Sequence, residues 1–436
     1  MLKENMLELF KEKEVEPRFF LLSTWMHEHI SKNWNVIEQG FLESFKSICQ
    51  AIQEAQSFKS KGPIAYINYS VLRSSWLQGK SDCLISAYDD SWYMDKHPCE
   101  TMYDAGWLFD CIHNYASELN EARRSYQRKV TSADIHQYKM EAGSLYSVYL
   151  TLLARRVMEK AALLPEFAQI VKAPRLDVRV GEFMDLSESV FLLDSTPKDA
   201  IEVKITLEQH YAFNYVYQYY CCLDLSQGQY TNNNFTYSIF DRCNMEHGNF
   251  SGTNLIGTVF RDCCMPHASL QNTVAWGAVF CRSDLSWANL SEMNAICSLD
   301  SSKDPIYLNR YLIGAEIEPA LEPEPETETL LTSGLPMNAI QRKIWERERN
   351  RFRRKPVSME EAITSPLFRR MDFQGAKLQN ANLSNGNFTG ASFLDTDLTD
   401  CDFSGSDLTQ ALIPKSYQHD KTVRLSDEQR RQICWV

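Results

Sequence analysis

From Leu225 onward an apolar side chain recurs at every fifth position. The series runs Leu225, Tyr230, Phe235, Phe240, Met245, Phe250, Leu255, Phe260, Met265, Leu270, Ala275, Phe280, Leu285, Leu290 and Ala295. After a gap it resumes as Phe373, Leu378, Leu383, Phe388, Phe393, Leu398, Phe403, Leu408 and Ile413. All of these centres are apolar in a chain that is 44% apolar. Chance would give that on the order of once in a hundred million trials, and neither a helical period of 3.6 nor a strand period of 2 produces a spacing of five. Two residues before each centre the side chain is small, as at Gly228, Asn233, Ser238, Cys243, Gly248 and Thr253, and again at Ala376, Ala381, Gly386 and Ala391. Leu223, Met293 and Met371 break this second rule, and all three lie at the ends of runs.

These two rules predict a square solenoid. Each pentapeptide makes a short side and a turn, so four of them bring the chain back above its starting point and each centre stacks on the one twenty residues later. The small residue also points inward, where a bulky group would collide. Asn or Asp often precedes the centre (Asn249, Asn254, Asp284, Asn289, Asn382, Asp397), an outward position from which the side chain can satisfy turn backbone groups. Six coils at about 4.8 Å each predict a stack roughly 30 Å long. Each coil supplies hydrogen-bond partners to the next, so both ends need caps.

Stretches such as Ala381-Asn-Leu-Ser-Asn, Ala391-Ser-Phe-Leu-Asp and Ser406-Asp-Leu-Thr-Gln resemble the A-(D/N)-L-x-x signature of the pentapeptide-repeat family. The resemblance implies a right-handed quadrilateral parallel β-helix. It is specific for fold and says little about function.

The expected class is therefore an α+β multidomain protein. Residues 1–200 lack the repeat and read as a mostly helical domain. Ile37, Phe41, Phe45, Ile48 and Ile52 mark one helix over 34–58. Residues 132–172 read as the longest helical stretch, opened by Ser132 as N-cap and broken near Pro165. Ile64–Tyr69 and Cys83–Tyr88, joined through Gln78-Gly-Lys, predict a β-hairpin, and Val178–Met184 another short strand. Residues 201–222 are expected to connect to the repeat and cap it, with the first run at 223–299 and the second at 368–414.

Residues 300–367 interrupt the repeat. Glu316–Glu328 carries six glutamates and three prolines, the composition of a solvated, disordered segment. Residues 342–355 follow with eight basic residues against two acids and read as a basic helix. An insertion is compatible with one continuous stack if it leaves and re-enters at a single corner, because loop closure grows costlier only slowly with length. Residues 415–436 contain Ser426-Asp-Glu-Gln, a capping-box pattern. The short helix it opens is expected either to cover the last coil or to pair with a second copy as a homodimer.

Composition adds exclusions. No run of about 18 apolar residues suggests a membrane span, and the charged start, Met1-Leu-Lys-Glu-Asn, carries no apolar signal core; a cytoplasmic location is expected. The net charge of −12 disfavours non-specific binding to nucleic acid by the whole chain. Thirteen scattered cysteines read as reduced thiols. The adjacent pairs Cys221-Cys222 and Cys263-Cys264 lack CxxC or histidine partners at zinc spacing, so neither metal nor other cofactor is expected. His27 and His29, two apart on a helix, point about 200° away from each other. His97-Pro-Cys99 has no further histidine or acid at a recognisable spacing. No P-loop, dinucleotide fingerprint, GxSxG or HExxH is present, and no catalytic residue is assigned.

The candidate interaction surface has two parts. Asp395, Asp397, Asp400, Asp402 and Asp407 cluster within one coil as an acidic belt suited to a basic partner. Arg347, Arg351, Arg353 and Arg354 lie in the basic helix, the only route by which nucleic acid could be held. Some members of the family imitate duplex DNA and protect type II topoisomerases such as gyrase, which needs acids repeated every twenty residues. Positions 244, 264 and 284 are Asn, Cys and Asp, with Arg242, Arg261 and Arg282 nearby, a weak match. The expectation is a non-catalytic scaffold that binds a protein partner. The alternatives are a topoisomerase-directed DNA mimic and an enzyme in the N-terminal domain with the repeat as its docking arm.

Overall fold

Ile37, Phe41, Phe45, Ile48 and Ile52 line one side of a helix and all are buried. In the computed structural model, which describes residues 3–126, 129–210, 215–294 and 371–436, that helix is α2 (Glu16–Ser57), preceded by α1 (Lys3–Phe10) and a π-helical turn at Lys11–Val15. It is longer than the periodicity predicts because it continues through a kink at Asn33 (φ −110°, ψ 16°). There the Asn33 side-chain amide donates to the His29 carbonyl at 2.9 Å. The described residues fall into two compact units, 3–193 and 194–294 with 371–436. Among them no helix is long and apolar enough to cross a membrane.

The first unit is mostly helical, with more sheet than its sequence suggests. The expected hairpin is the middle of a five-stranded sheet in the order β3-β2-β1-β4-β5. Its strands are β1 (Ile64–Val71), β2 (Asp82–Tyr88), β3 (Cys99–Asp104), β4 (Lys172–Glu182) and β5 (Ser187–Asp194). β1 pairs antiparallel with β2 (Asn68↔Ser86), but parallel with β4 (Asn68↔Arg179), more than a hundred residues away. A short helix, α3 (Arg73–Leu77), lies in the β1–β2 connection. β3 and β5 escaped the sequence reading because neither alternates cleanly.

α2 covers one sheet face. The Phe41 ring stacks on Tyr69 of β1 with centroids 4.8 Å apart, and Ser44 and Tyr69 share a hydrogen bond of 3.0 Å. α4 (Gly106–Ala122) follows β3. The stretch read as helical over 132–172 and broken near Pro165 holds three helices, α5 (Ser132–Tyr146), α6 (Val148–Ala161) and α7 (Pro165–Gln169): it breaks before Pro165 and also at Ser147. The N-cap of α5 is Thr131 rather than Ser132; its backbone N–H and hydroxyl donate to Asp134 at 2.6 and 2.7 Å, and the hydroxyl accepts from the Asp134 N–H. Gly143 of α5 lies against Trp76, and a methyl group there would fall 1.9 Å from the indole.

The second unit is a repeat β-helix. Residue i bridges in parallel to residue i+20 along its length, as at Asn244↔Cys264 and Cys264↔Asp284. Three longer rungs, β6 (Tyr219–Cys221), β7 (Ile239–Asp241) and β8 (Val259–Arg261), form one ladder. Every described centre from Leu225 to Ile413 is fully buried, including Phe235, Phe240, Phe250, Leu255, Phe260, Phe280, Leu285, Leu383, Phe388, Phe393, Leu398 and Phe403. Tyr215 and Tyr220 extend the series upstream, over Phe235 at 5.8 Å and Phe240 at 4.8 Å. Stacking thus begins inside the segment read as a connector, because a tyrosine-rich approach hides its own periodicity.

The small inward position is enforced in two ways. At Gly228 and Gly386 a Cβ would strike the ring of the following centre, Tyr230 or Phe388, at 2.1 and 2.4 Å. Where the residue is Thr, Ser or Cys, its polar hydrogen finds a carbonyl, in the previous coil for Thr258 (to Phe235, 2.8 Å), Thr396 (to Phe373, 2.7 Å) and Cys401 (to Leu378, 2.9 Å), and three residues back for Thr253 and Thr273. Burial without such partners would be costly. Burial also pushes the Cys243 and Cys401 thiols up to about 12, so both stay protonated.

The interruption does not break the stack. Val279 bridges Asp372, Asp284 bridges Lys377 and Asn289 bridges Asn382. The offset of 93 residues (372 − 279) exceeds one coil of 20 by 73, so the second run takes up the next coil. The intervening segment, with the expected acidic stretch and basic helix, lies outside the described residues.

Both ends are closed. α8 (Ala200–Leu207), capped by Asp199, places Leu207 in the core, and Asn233 donates to the Leu207 carbonyl at 2.8 Å. At the other end β9 (Leu412–Ile413) is covered by β10 (Cys434–Trp435) in parallel register. Between them α9 (Asp427–Gln432) starts at Ser426 with a complete capping box. Val423 and Ile433 complete the core, and buried Gln429 donates to the Phe403 and Ser406 carbonyls at 2.6 and 2.8 Å. The tail thus covers the final coil.

Candidate interaction surface

Outward positions follow their own fivefold rule. The residue two after each centre has a left-handed backbone, from Tyr217 (φ 56°) through Arg242, His247, His267 and Trp287 to Gln410 (φ 59°). Glycine fills only some of these corners. Non-glycine residues there cost roughly 1–2 kcal/mol each, which the stacked neighbours offset. The twenty-residue register arranges the corners in columns.

One column holds Gln227, His247, His267, Trp287, Asn380 and Asp400. The imidazoles of His247 and His267 stack at 4.8 Å with planes 7° apart, and Trp287 follows at 6.1 Å. Trp287 is 57% exposed, the most open tryptophan among the described residues whose exposure is large. A neighbouring column alternates charge: Arg282 grips Asp262 with two bonds of 2.7 and 2.8 Å. The sequence reading missed the aromatic column because its members are twenty residues apart at positions that no hydrophobic rule marks.

The five aspartates of the acidic belt lie in one coil but do two jobs. Asp397, Asp402 and Asp407 precede centres, and each accepts the backbone N–H two residues on, at 3.0, 2.9 and 2.9 Å. Asn234, Asn249, Asn254, Asp284, Asn289 and Asn382 do the same in other coils. Asp397 also accepts from Gln379, and Asp402 from Arg424 at 3.0 Å. Burial opposes ionisation at these three, yet the hydrogen bonds outweigh it and hold each carboxyl below the usual range. Asp395 (φ 55°) and Asp400 (φ 59°) are exposed corner residues. They are the outward charges of the belt. Arg347, Arg351, Arg353 and Arg354 lie outside the described residues.

The first unit carries a polar sheet face opposite α2. Asn68 and Ser86, paired across β1 and β2, are buried there, and Asp177 of β4 accepts from Arg179 at 2.7 Å and Ser189 at 2.6 Å. Trp92 stacks on Tyr66 at 4.5 Å with the Arg179 guanidinium 5.5 Å from its centre. A buried Lys61–Asp95 pair fastens the Trp92 loop. The raised groups of this unit, Cys83, Tyr69 and Tyr103, owe their shifts to burial among apolar neighbours, which does not make a nucleophile. Cys99 is buried and its thiol pushed up for the same reason; the His97 backbone, not its ring, is engaged, with Asp95 and Lys61. His29 stacks on Trp25 and contacts Asn33, while the His27 side chain is outside the description. Among the described residues no cluster of three or more histidine, cysteine or acidic side chains could hold a metal ion.

A family model for pentapeptide repeats matches the chain in eight copies, over residues 238–274, 267–294 and 372–411. No curated protein matches the chain. Solved structures similar to it include HetL, a pentapeptide repeat protein involved in heterocyst differentiation regulation from the cyanobacterium Nostoc sp. Strain PCC 7120, at 13% identity and a TM-score of 0.24, covering 48% of this chain and 70% of that one. A pentapeptide repeat protein of the Arabidopsis thaliana thylakoid lumen aligns at 19% identity and a TM-score of 0.18, covering 44% and 72%. Full-length QnrB1, a plasmid-mediated fluoroquinolone resistance protein, aligns at 11% identity and a TM-score of 0.18, covering 50% and 90%. Likenesses of this size say nothing about function. With its fivefold core, twenty-residue register and eight matched copies, the repeat unit of this chain is built of pentapeptide repeats.

Proposed function

We propose that this chain is a non-catalytic interaction protein whose β-helix, right-handed and four-sided, acts as a rigid post presenting a binding surface to a protein partner. The observation that carries the reading is the exposed column of His247, His267 and Trp287, held by backbone register rather than by a loop. Exposed aromatic groups on a pre-ordered scaffold lose little entropy on binding and are the side chains that dominate interfaces. Asp395 and Asp400 add a negative rim near one end, suited to a partner with basic groups. Nucleic acid would enter only through Arg347, Arg351, Arg353 and Arg354.

Duplex mimicry is disfavoured by opposite charges stacked in two columns: Lys377 sits over Asp284 at 3.5 Å, and Arg282 over Asp262. Pairing of two copies through the tail is disfavoured because β10 already occupies the edge of β9. An enzyme in the first unit would need titratable groups poised in a cleft, and the buried Asp177 is instead tied to Arg179 and Ser189.

The test is affinity capture with the full chain and with the double variants His267→Ala/Trp287→Ala and Asp395→Asn/Asp400→Asn. A partner retained by the parent and lost from the first variant supports the proposal. Equal recovery on both variants, inhibition of gyrase supercoiling by the parent, or reproducible turnover by the purified chain would each overturn it.

A further inference from the structure

Two pairs of cysteines are adjacent in the repeat unit, and they are built differently. Cys263 occupies the small inward position before Met265, where its thiol donates to the Phe240 carbonyl at 3.2 Å, while Cys264 takes the outward position that follows. Successive side chains of an extended strand leave on opposite faces, so these two sulfurs diverge. Cys221 and Cys222 instead take the two outward positions after the centre Tyr220. Cys222 is a corner residue with φ 55°, and the turn swings its side chain back beside its neighbour. Their sulfurs are 3.3 Å apart. Cys222 is exposed and Cys221 half-buried. One coil on, the Arg242 guanidinium, itself held by Asp241 at 3.2 Å, lies 3.3 Å from the Cys221 sulfur.

We propose that Cys221 and Cys222 form a reversible redox dithiol, a modification site that a hydroperoxide closes to a vicinal disulfide. Neither thiol is needed for the core, unlike Cys243, Cys263 and Cys401, whose sulfurs donate to backbone carbonyls inside the stack. The exposed Cys222 sulfur attacks the peroxide O–O bond, taking one oxygen as a sulfenic acid and releasing water or alcohol. The Cys221 sulfur then displaces that oxygen as a second water, forming the S–S bond and consuming both thiol hydrogens. Arg242 lies where it can stabilise negative charge on the Cys221 sulfur as it attacks. A ring enclosing a single peptide bond is strained, and strained disulfides are readily reduced, so a small thiol reopens it.

The test treats the full chain with hydrogen peroxide, alkylates the remaining thiols, digests it and weighs the peptides. The expected result is a peptide spanning Cys221 and Cys222 that takes up no alkyl group and is lighter by two hydrogens. Dithiothreitol restores both alkylation sites. The peptide with Cys263 and Cys264 carries no internal link, and prior phenylarsine oxide, which bridges two close thiols, blocks closure. In Cys222→Ser, Cys221 stays open to alkylation after peroxide, and in Arg242→Gln closure slows several-fold. Full alkylation of both cysteines after peroxide, a sulfinic acid at Cys222, or a link from either cysteine to another chain would overturn the proposal.

Discussion

Phe280 and Phe373 stack with centroids 5.1 Å apart and ring planes 5° from parallel, although 93 positions separate them in the chain. They are consecutive rungs of a ladder that runs from Tyr220 through Phe240, Phe260, Phe280 and Phe373 to Phe393 at spacings of 4.8–5.1 Å. Phe373→Ala should destabilise the repeat unit by about 3–5 kcal/mol, the range for emptying a buried aromatic site. The loss is read from the shift of the urea midpoint at unchanged slope.

Because the offset across the interruption is one coil plus 73 residues, deleting residues 298–370 restores uninterrupted fivefold spacing. That variant should keep the cooperative melting transition of the β-helix. Deleting one residue fewer shifts every later centre out of the core and should abolish the transition. Circular dichroism during heating distinguishes them.

Gln429 is buried and donates to two carbonyls of the last coil. Gln429→Ala takes the side-chain donor from the Ser406 carbonyl, a cost of about 1–3 kcal/mol for a group left unsatisfied, whereas the Phe403 carbonyl keeps the Ser406 N–H at 3.0 Å. Hydrogen exchange should quicken at the amides of residues 403–413 while coils near Phe240 stay protected, since the stack is stabilised by nearest neighbours.

Glu292 and Gly252 share a corner column and a left-handed backbone, with φ 58° and 70°. Glu292→Gly should raise the melting temperature slightly, as the relief of backbone strain exceeds the added freedom of the unfolded chain. Gly252→Val should lower it by more, because a Cβ there would lie 2.4 Å from the Asn232 side chain. Differential scanning calorimetry measures both.

Asp397, Asp402 and Asp407 have folded-state carboxyls held below their unfolded range. Their contribution is therefore fully present above the unfolded value of about 4 and is lost as pH falls through the lower folded values. Asn fills the same position at 382 and 387 and makes the same turn bond. The triple Asp→Asn variant should fold normally at neutral pH and show a flatter loss of stability below about pH 4, followed by urea titration at each pH.

The β-helix was legible from sequence because its rule is local. A repeated backbone conformation puts a large side chain inward every fifth residue, and that constraint is written into each pentapeptide. The turn-bonding role of the residue before each centre was legible for the same reason. The helical stretch over 132–172 breaks before Pro165, which the proline marks, and also at Ser147, where nothing in the side-chain pattern marks the break. The small hairpin became a five-stranded sheet because β1 pairs with β4, a match between segments more than a hundred residues apart that no local pattern carries.

The sequence by itself determined that a fivefold core exists and which residues, from Leu225 to Ile413, fill it. Only the tertiary structure decided which outward residues share a face. Whether His247 meets His267 and Trp287, or Cys222 turns back to Cys221, depends on coil register and on the backbone at each corner. Inward positions are fixed by exclusion of water and by lack of space, so composition reveals them. Outward positions are constrained only by their neighbours in the adjacent coil, and those neighbours exist only once the chain has wound.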